Sequence, residues 1–191
     1  MTVAKAKGSS ILLVVKLLRA NRVEAVARLA PELRQYLDER ILVSSWYPEA
    51  DLFELLKVGV ALAPQGGEDP WLFFGRFAAA AHVRDVYRNL LARAPEEVLR
   101  QINVVWRTQH DTGTFRADLV ETGHAVISLE DHATVGREWC RLLHGYMVGM
   151  LEAAGAKEIA VREIHCRNDG DPTCVWRLNW TFADPTKGPG A

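Results

Sequence analysis

Residues 163–174 read Glu-Ile-His-Cys-Arg-Asn-Asp-Gly-Asp-Pro-Thr-Cys. Cys166 and Cys174 lie symmetrically about Gly170. A hairpin centred there sets the two thiols opposite one another, with Cα atoms about 4.5–5.5 Å apart. That separation suits either a disulfide or two ligands of one metal ion. The third cysteine, Cys140, lies on the preceding apolar-periodic stretch, which has to pack on the hairpin to bury its apolar face. Glu163 stands three residues before Cys166. In a regular strand those two face opposite ways, so both reach one ion only if the strand ends or bulges near His165, and a bulge is expected there. His165 competes with Glu163 for the fourth place. Three thiolates and a carboxylate on Zn²⁺ carry a net charge of about −2, which Arg162, Arg167 or His165 could offset. Four protein ligands leave no open position, so such a zinc is structural rather than catalytic. The plainer alternative is three unrelated buried cysteines acting as small hydrophobes. An odd count argues against a disulfide framework.

A second group could touch a small molecule. His110 could donate to a ligand hydroxyl, with Asp111 or a backbone group setting its tautomer; otherwise Asp111 caps a turn and His110 is a surface residue. Trp106 precedes them on a helix. Trp139 and Tyr146 flank Cys140 seven residues apart, near one helix face, as core or as pocket wall. Trp71, Phe73, Phe74 and Phe77 crowd two helical turns and suit a core, a pocket or an isologous dimer surface. No Gly-rich phosphate loop, Ser/His/Asp spacing, redox-cofactor motif, zinc-protease motif or facial-triad histidine pattern is present, so no enzymatic activity is expected.

The positioning elements read as helices first. Ser9 or Ser10 can cap a helix over 11–20; further helices are expected at 22–30, at 31–39 behind Pro31, at 49–62, at 70–93 and at 95–107. Ile41–Val43 is ambiguous, Trp46-Tyr47-Pro48 reads as a break, and residues 65–67 as a loop. The pattern then changes to period two: Phe115, Ala117 and Leu119 alternate with polar residues, and the Glu121-Thr122-Gly123 turn leads to His124–Leu129. A helix over 134–154 ends at Gly155. Ile159–Cys166 and Cys174–Phe182 form a second hairpin across a turn-rich loop. The fold class is α+β: N-terminal helices, then an antiparallel sheet of two hairpins with a long helix between them. Residues 9–182 form one domain between loose tails at 1–8 and 183–191.

The chain has 191 residues, Lys+Arg 23 against Asp+Glu 24, and 49% hydrophobic residues. The near-zero net charge excludes phosphate-driven nucleic-acid binding, and the apolar content excludes disorder as the main state. The apolar run Ile11–Leu18 is broken by Lys16 and falls far short of the roughly 20 residues of a membrane span. Arg19 and Arg22 stand where a signal cleavage site needs small residues, so a cytoplasmic location is expected.

Residues 129–180 resemble a 4-vinyl-reductase-type domain, a family of small-molecule-binding domains. The resemblance is carried by Leu129-Glu130, Cys140, Gly145-Tyr146-Met147-Val148-Gly149, Glu163-Ile164-His165-Cys166-Arg167, Gly170-Asp171-Pro172 and Cys174. Phenol-sensing relatives hold zinc by a Cys, a Glu and two further Cys in this order and at similar spacing, which implies Cys140, Glu163, Cys166 and Cys174 here. Those sensors grip their ligand with a His and a Trp that no motif places in this chain. From about 10 to 182 the chain also resembles a myxobacterial family, through Ser45-Trp46-Tyr47-Pro48, the Gly75-Arg76 helix, Trp106 with His110-Asp111-Thr112-Gly113, and the cysteine segment. The vinyl-reductase-type group shares its fold with TRAPP-type vesicle-tethering subunits and with haem nitric-oxide sensors. The first resemblance implies a dimer and a buried apolar pocket. The second implies a haem, but the Tyr-x-Ser-x-Arg motif of such sensors is absent from this sequence. Together they imply a sensory module that binds a small hydrophobic or aromatic ligand in a buried pocket, for which the residues themselves offer Trp106, His110, Trp139 and Tyr146 as candidates. It would carry a structural zinc and signal through a homodimer or a downstream protein partner. The alternatives are a TRAPP-like adaptor without ligand and an enzyme related to tetrapyrrole vinyl reduction.

Overall fold

The first strand lies where a loose tail is expected. In the computed structural model, which describes residues 3–63, 66–85, 94–133 and 136–182, β1 (Lys5–Lys7) pairs antiparallel with β2 (Trp46–Pro48), the segment expected to be a break. Three residues are too few to show a period, and their partner lies some forty positions away. Ala6 is fully buried as a result. The expected tail at 183–191 lies outside the described residues.

Between these strands run α1 (Gly8–Ala20), α2 (Arg22–Arg28), a 3₁₀ turn at Pro31–Leu33 and α3 (Gln35–Asp38). The helix expected over 31–39 is thus two short pieces, and Ile41–Val43 is neither helix nor strand. Neither serine caps α1: Ser9 and Ser10 lie inside it, and both hydroxyls donate to Gln109 Oε1. After β2 come α4 (Glu49–Leu62) and α5 (Pro70–Asp85); residues 86–93 of the expected longer helix lie outside the described residues. The helix expected over 95–107 is two, α6 (Pro95–Arg100) and α7 (Ile102–Gln109), separated at Gln101. Pro95 and the acidic pair Glu96-Glu97 start α6 as the helix dipole favours. Among the described residues no helix is long and apolar enough to cross a membrane.

The C-terminal half follows the expected α+β plan. Strands β3 (Thr114–Glu121) and β4 (His124–Glu130) form the first hairpin. Helix α8 (Arg137–Ala153) follows, and β5 (Ala156–His165) and β6 (Cys174–Phe182) form the second. The four strands make one antiparallel sheet in the order β3-β4-β6-β5. Gly155, in the left-handed region at φ 87°, follows the end of α8. Alternate residues Phe115, Ala125, Ile127, Leu129, Trp176 and Leu178 bury one face of the sheet beneath the helices. Each large side chain among them contributes about 1.5–3 kcal/mol of transfer free energy.

Helix α8 lies between this sheet and α5. The α5–α8 contact is backbone against backbone: a Cβ at Gly145 would sit 2.0 Å from the Leu72 carbonyl oxygen, and one at Gly75 would sit 2.1 Å from that of Leu142. Neither backbone can yield without moving a helix. Gly145→Ala is therefore expected to destabilise the chain by about 1–3 kcal/mol, read as a melting temperature lower by several degrees. Gly66→Ala, where a Cβ meets nothing within 4 Å, is expected to leave it unchanged.

Candidate functional site

The bulge expected near His165 is present: the β5–β6 register shifts between Glu163 and His165. The shift lets Glu163 and Cys166 serve one point. Ligand atoms of Cys140, Glu163, Cys166 and Cys174 all lie within 4.8 Å of one another, with the three cysteines buried. Cys140 Sγ is 3.7 Å from Cys166 Sγ and 3.9 Å from Cys174 Sγ. A disulfide requires about 2.05 Å, whereas a tetrahedral zinc with Zn–S bonds of about 2.3 Å sets sulfur–sulfur edges of about 3.8 Å. Glu163 Oε1 is buried without a hydrogen-bond partner, as an oxygen reserved for an ion would be. His165 is largely exposed beside Asp171 and does not join the group.

The surroundings suit thiolate. Asn168 Nδ2 donates to Cys166 Sγ (3.4 Å) and Cys140 Sγ (3.6 Å), and the Arg167 N–H donates to Cys174 Sγ (3.5 Å). The bond from Cys140, aided by the Arg167 N–H and opposed by burial, lowers the Cys174 thiol to about 6. The same bond, with burial, pushes the Cys140 thiol up. The cation that meets Glu163 is Arg137, not Arg162: its guanidinium donates to Glu163 Oε2 at 3.0 Å and also to Asp169. Arg137 stands three residues before Cys140, on the same face of α8, and that spacing is the signal by which it could be read from the sequence.

Against a neighbouring face of α8 lies an apolar cavity of about 110 Å³, close in size to the ~150 Å³ apolar cavity known to take benzene. Trp106, His110, Trp139 and Tyr146 all line it. Trp106 stacks on His110 with centroids 3.9 Å apart and meets Phe115 edge-on, and its Nε1 donates to the Thr112 carbonyl. Tyr146 Oη lies 3.0 Å from His82 Nδ1. On α5, Phe74 is buried at this cavity while Phe73 and Phe77 are exposed, and Trp71 packs on Phe53.

His110 is buried, not a surface residue, because β1 covers it: Ala6 bridges to His110, and Asp111 exchanges hydrogen bonds with the Lys5 backbone. Asp111 therefore pins β1 and does not orient the imidazole. That task falls to Glu49, fully buried, whose Oε1 lies 2.5 Å from His110 Nδ1. A carboxylate only accepts, so Nδ1 carries the hydrogen that Glu49 receives. Glu49 opens α4, where an acid reads as an exposed partner of the helix dipole; β1 closes over it, with the Glu49 N–H donating to the Ala4 carbonyl.

A second histidine faces the same carboxylate. His132 Nε2 lies 3.5 Å from Glu49 Oε2, its ring stacks on Trp139, and its carbonyl accepts from Arg167 Nη1 at 2.5 Å. Arg167 adjoins the cysteine cluster, so the buried Glu49-His110-His132 network runs from the cavity wall to the β5–β6 loop. Burial lowers His132 to about 4, outweighing the attraction of Glu49. Below pH 6.5 the unfolded chain takes up a proton at this histidine that the folded chain refuses until about pH 4. His132 is thus expected to make stability fall by about 3 kcal/mol as pH drops from 6.5 to 4. In denaturant titrations across that range, His132→Phe is expected to flatten the acid limb.

No protein-family model matches the chain, and no curated protein matches it significantly in sequence. Solved structures do match in fold. An H-NOX protein from S. oneidensis in the Fe(II)NO ligation state is 15% identical and aligns over 92% of this chain and 99% of its own, with a TM-score of 0.64. An oxygen-binding H-NOX domain related to soluble guanylate cyclases is 13% identical over 97% and 99%, with a TM-score of 0.64. A third structure, from work on modulating haem redox potential through porphyrin distortion, is 14% identical over 91% and 99%, with a TM-score of 0.62. The chain has the α+β fold of H-NOX domains.

Proposed function

We propose that this chain is a non-enzymatic sensory module that binds a small aromatic molecule bearing a hydrogen-bond donor in the cavity between α5, α7 and α8. In this reading a structural zinc on Cys140, Glu163, Cys166 and Cys174 fastens the β5–β6 hairpin to α8. The observation that carries it is the cavity itself: an apolar void of benzene size with His110, held by a buried glutamate, in its wall. His110 was expected to donate to a ligand hydroxyl; in this reading its Nδ1–H is directed at Glu49 and Nε2 takes the ligand's hydrogen, so phenols, anilines and similar donors fit better than ethers or ketones. Occupancy would shift the packing of Trp139 and hence of α8, and pass to a second copy or a protein partner.

The sensory reading agrees with the fold shared with gas- and haem-associated H-NOX proteins, but a haem does not fit this cavity. At about 110 Å³ it is too small for a macrocycle, and among the described residues no lysine or arginine lines it to meet haem carboxylates. The open interior also speaks for a ligand-binding role over an adaptor with a filled core.

For the zinc, the donor set fits on three observations: the sulfur separations, the unpartnered Glu163 oxygen and the N–H donors to the thiols. Bound there, zinc would supply no chemistry beyond a rigid crosslink. Elemental analysis of the purified protein is expected to give about one zinc per chain, and Cys174→Ser is expected to lower both zinc content and melting temperature. A folded, metal-free protein whose stability chelators leave unchanged contradicts this site. For the ligand, calorimetry with phenol, anisole and toluene is expected to rank phenol about 2–13-fold tighter, the worth of one buried hydrogen bond. His110→Phe should erase that ranking while keeping the ring stacked on Trp106. Equal affinity for toluene, or no binding of any of the three, contradicts the proposed recognition.

A further inference from the structure

One row of directly paired residues crosses the whole sheet: Leu119 on β3, Val126 on β4, Arg177 on β6 and Arg162 on β5. Directly paired residues point to the same side of an antiparallel sheet. The neighbouring positions Ile127, Trp176 and Leu178 are buried under the helices, so this row faces the other way. Leu119, Arg162 and Arg177 are exposed.

Two features of the row are costly and unneeded by the fold. Arg162 and Arg177 stand directly opposite one another, with Cβ atoms about 4.5–5.5 Å apart, where like charges destabilise a sheet. Among the described residues neither meets a carboxylate; Arg28, Arg40 and Arg107 share that, so what sets this pair apart is their direct opposition across the ladder. Beside them Val126 and Leu119 leave an aliphatic surface at the same level.

We propose that this face docks an acidic partner polypeptide, one that sets a carboxylate between Arg162 and Arg177 and an aliphatic side chain on Val126 and Leu119. With their Cβ atoms this close, the two guanidiniums can converge on one carboxylate, and binding would relieve their repulsion. The aliphatic half of the row selects a polypeptide over a nucleic acid, whose backbone offers charge alone. Arginine beside an apolar patch is the composition of interface cores. The proposal depends on neither the cavity nor the metal site.

Fluorescence anisotropy of a labelled peptide of alternating glutamate and leucine, titrated with the full chain, tests it; an alternating lysine–leucine peptide and a single-stranded oligonucleotide serve as comparators. The wild type should bind the acidic peptide selectively, and more weakly as salt rises. Arg177→Glu sets opposite charges across the ladder. It should therefore hold or raise the melting temperature while losing about tenfold or more in affinity. The proposal is overturned by unchanged affinity in R177E, by a lower melting temperature of that variant, or by preference for the oligonucleotide. It is also overturned if R177E converts a wild-type dimer to a monomer, which would make a second copy the occupant.

Discussion

The backbone of helix α8 touches that of α5, and this contact sets the geometry of what is built on it. With Gly75 and Gly145 at the contact, the two helices meet without side chains between them at that point, and side chains pair only to either side of it, as Tyr146 does with His82. Trp139 and Cys140 are consecutive residues there: one lines the cavity and the other belongs to the cysteine cluster. A movement of α8 large enough to admit a ligand beside Trp139 is felt one residue away at Cys140. Close packing makes such a helix choose between discrete arrangements rather than bend continuously.

Charge burial joins the same parts by a second route. Glu49 lies fully buried between two imidazoles, within hydrogen-bond reach of His110 and 3.5 Å from His132. Arg167 donates to the His132 carbonyl. A buried carboxylate is costly unless it is hydrogen-bonded, so the segment that carries His110 and the β1 strand that covers it stay together. At the cysteine cluster the balance is different: three thiols, a carboxylate with one unpartnered oxygen, and a single arginine over its other oxygen. That surplus of acceptors over donors is what a divalent cation neutralises.

Much of this is legible in the residues alone. Period two in Phe115 and Ala117 marks β3, although a register shift after Ala117 turns Leu119 to the opposite, exposed face, and Gly155 marks the end of α8, since each is a local signal. The bulge at Glu163–His165 follows from requiring two side chains three apart to share one point. What escapes local reading is long-range. Nothing near Lys5–Lys7 announces a strand, because its partner is Trp46–Pro48. Since β1 is what buries Glu49 and His110, the orientation of His110 escapes with it, and an acid at a helix start reads as solvent-exposed. Gln101 carries no breaker chemistry, yet the chain turns there between α6 and α7. His132 sits in a connection without periodicity, so only the folded structure shows it stacked on Trp139.

The central claim is that the void beside Trp106 and Trp139 receives an aromatic donor. It is tested most directly by anomalous diffraction from crystals soaked in 4-bromophenol at the bromine edge. The account predicts a bromine peak inside the cavity, with the phenol oxygen within hydrogen-bond distance of His110 Nε2 and Trp139 displaced relative to the unsoaked crystal. Bromine found only on the protein surface, with Trp106 and Trp139 unmoved, would contradict it.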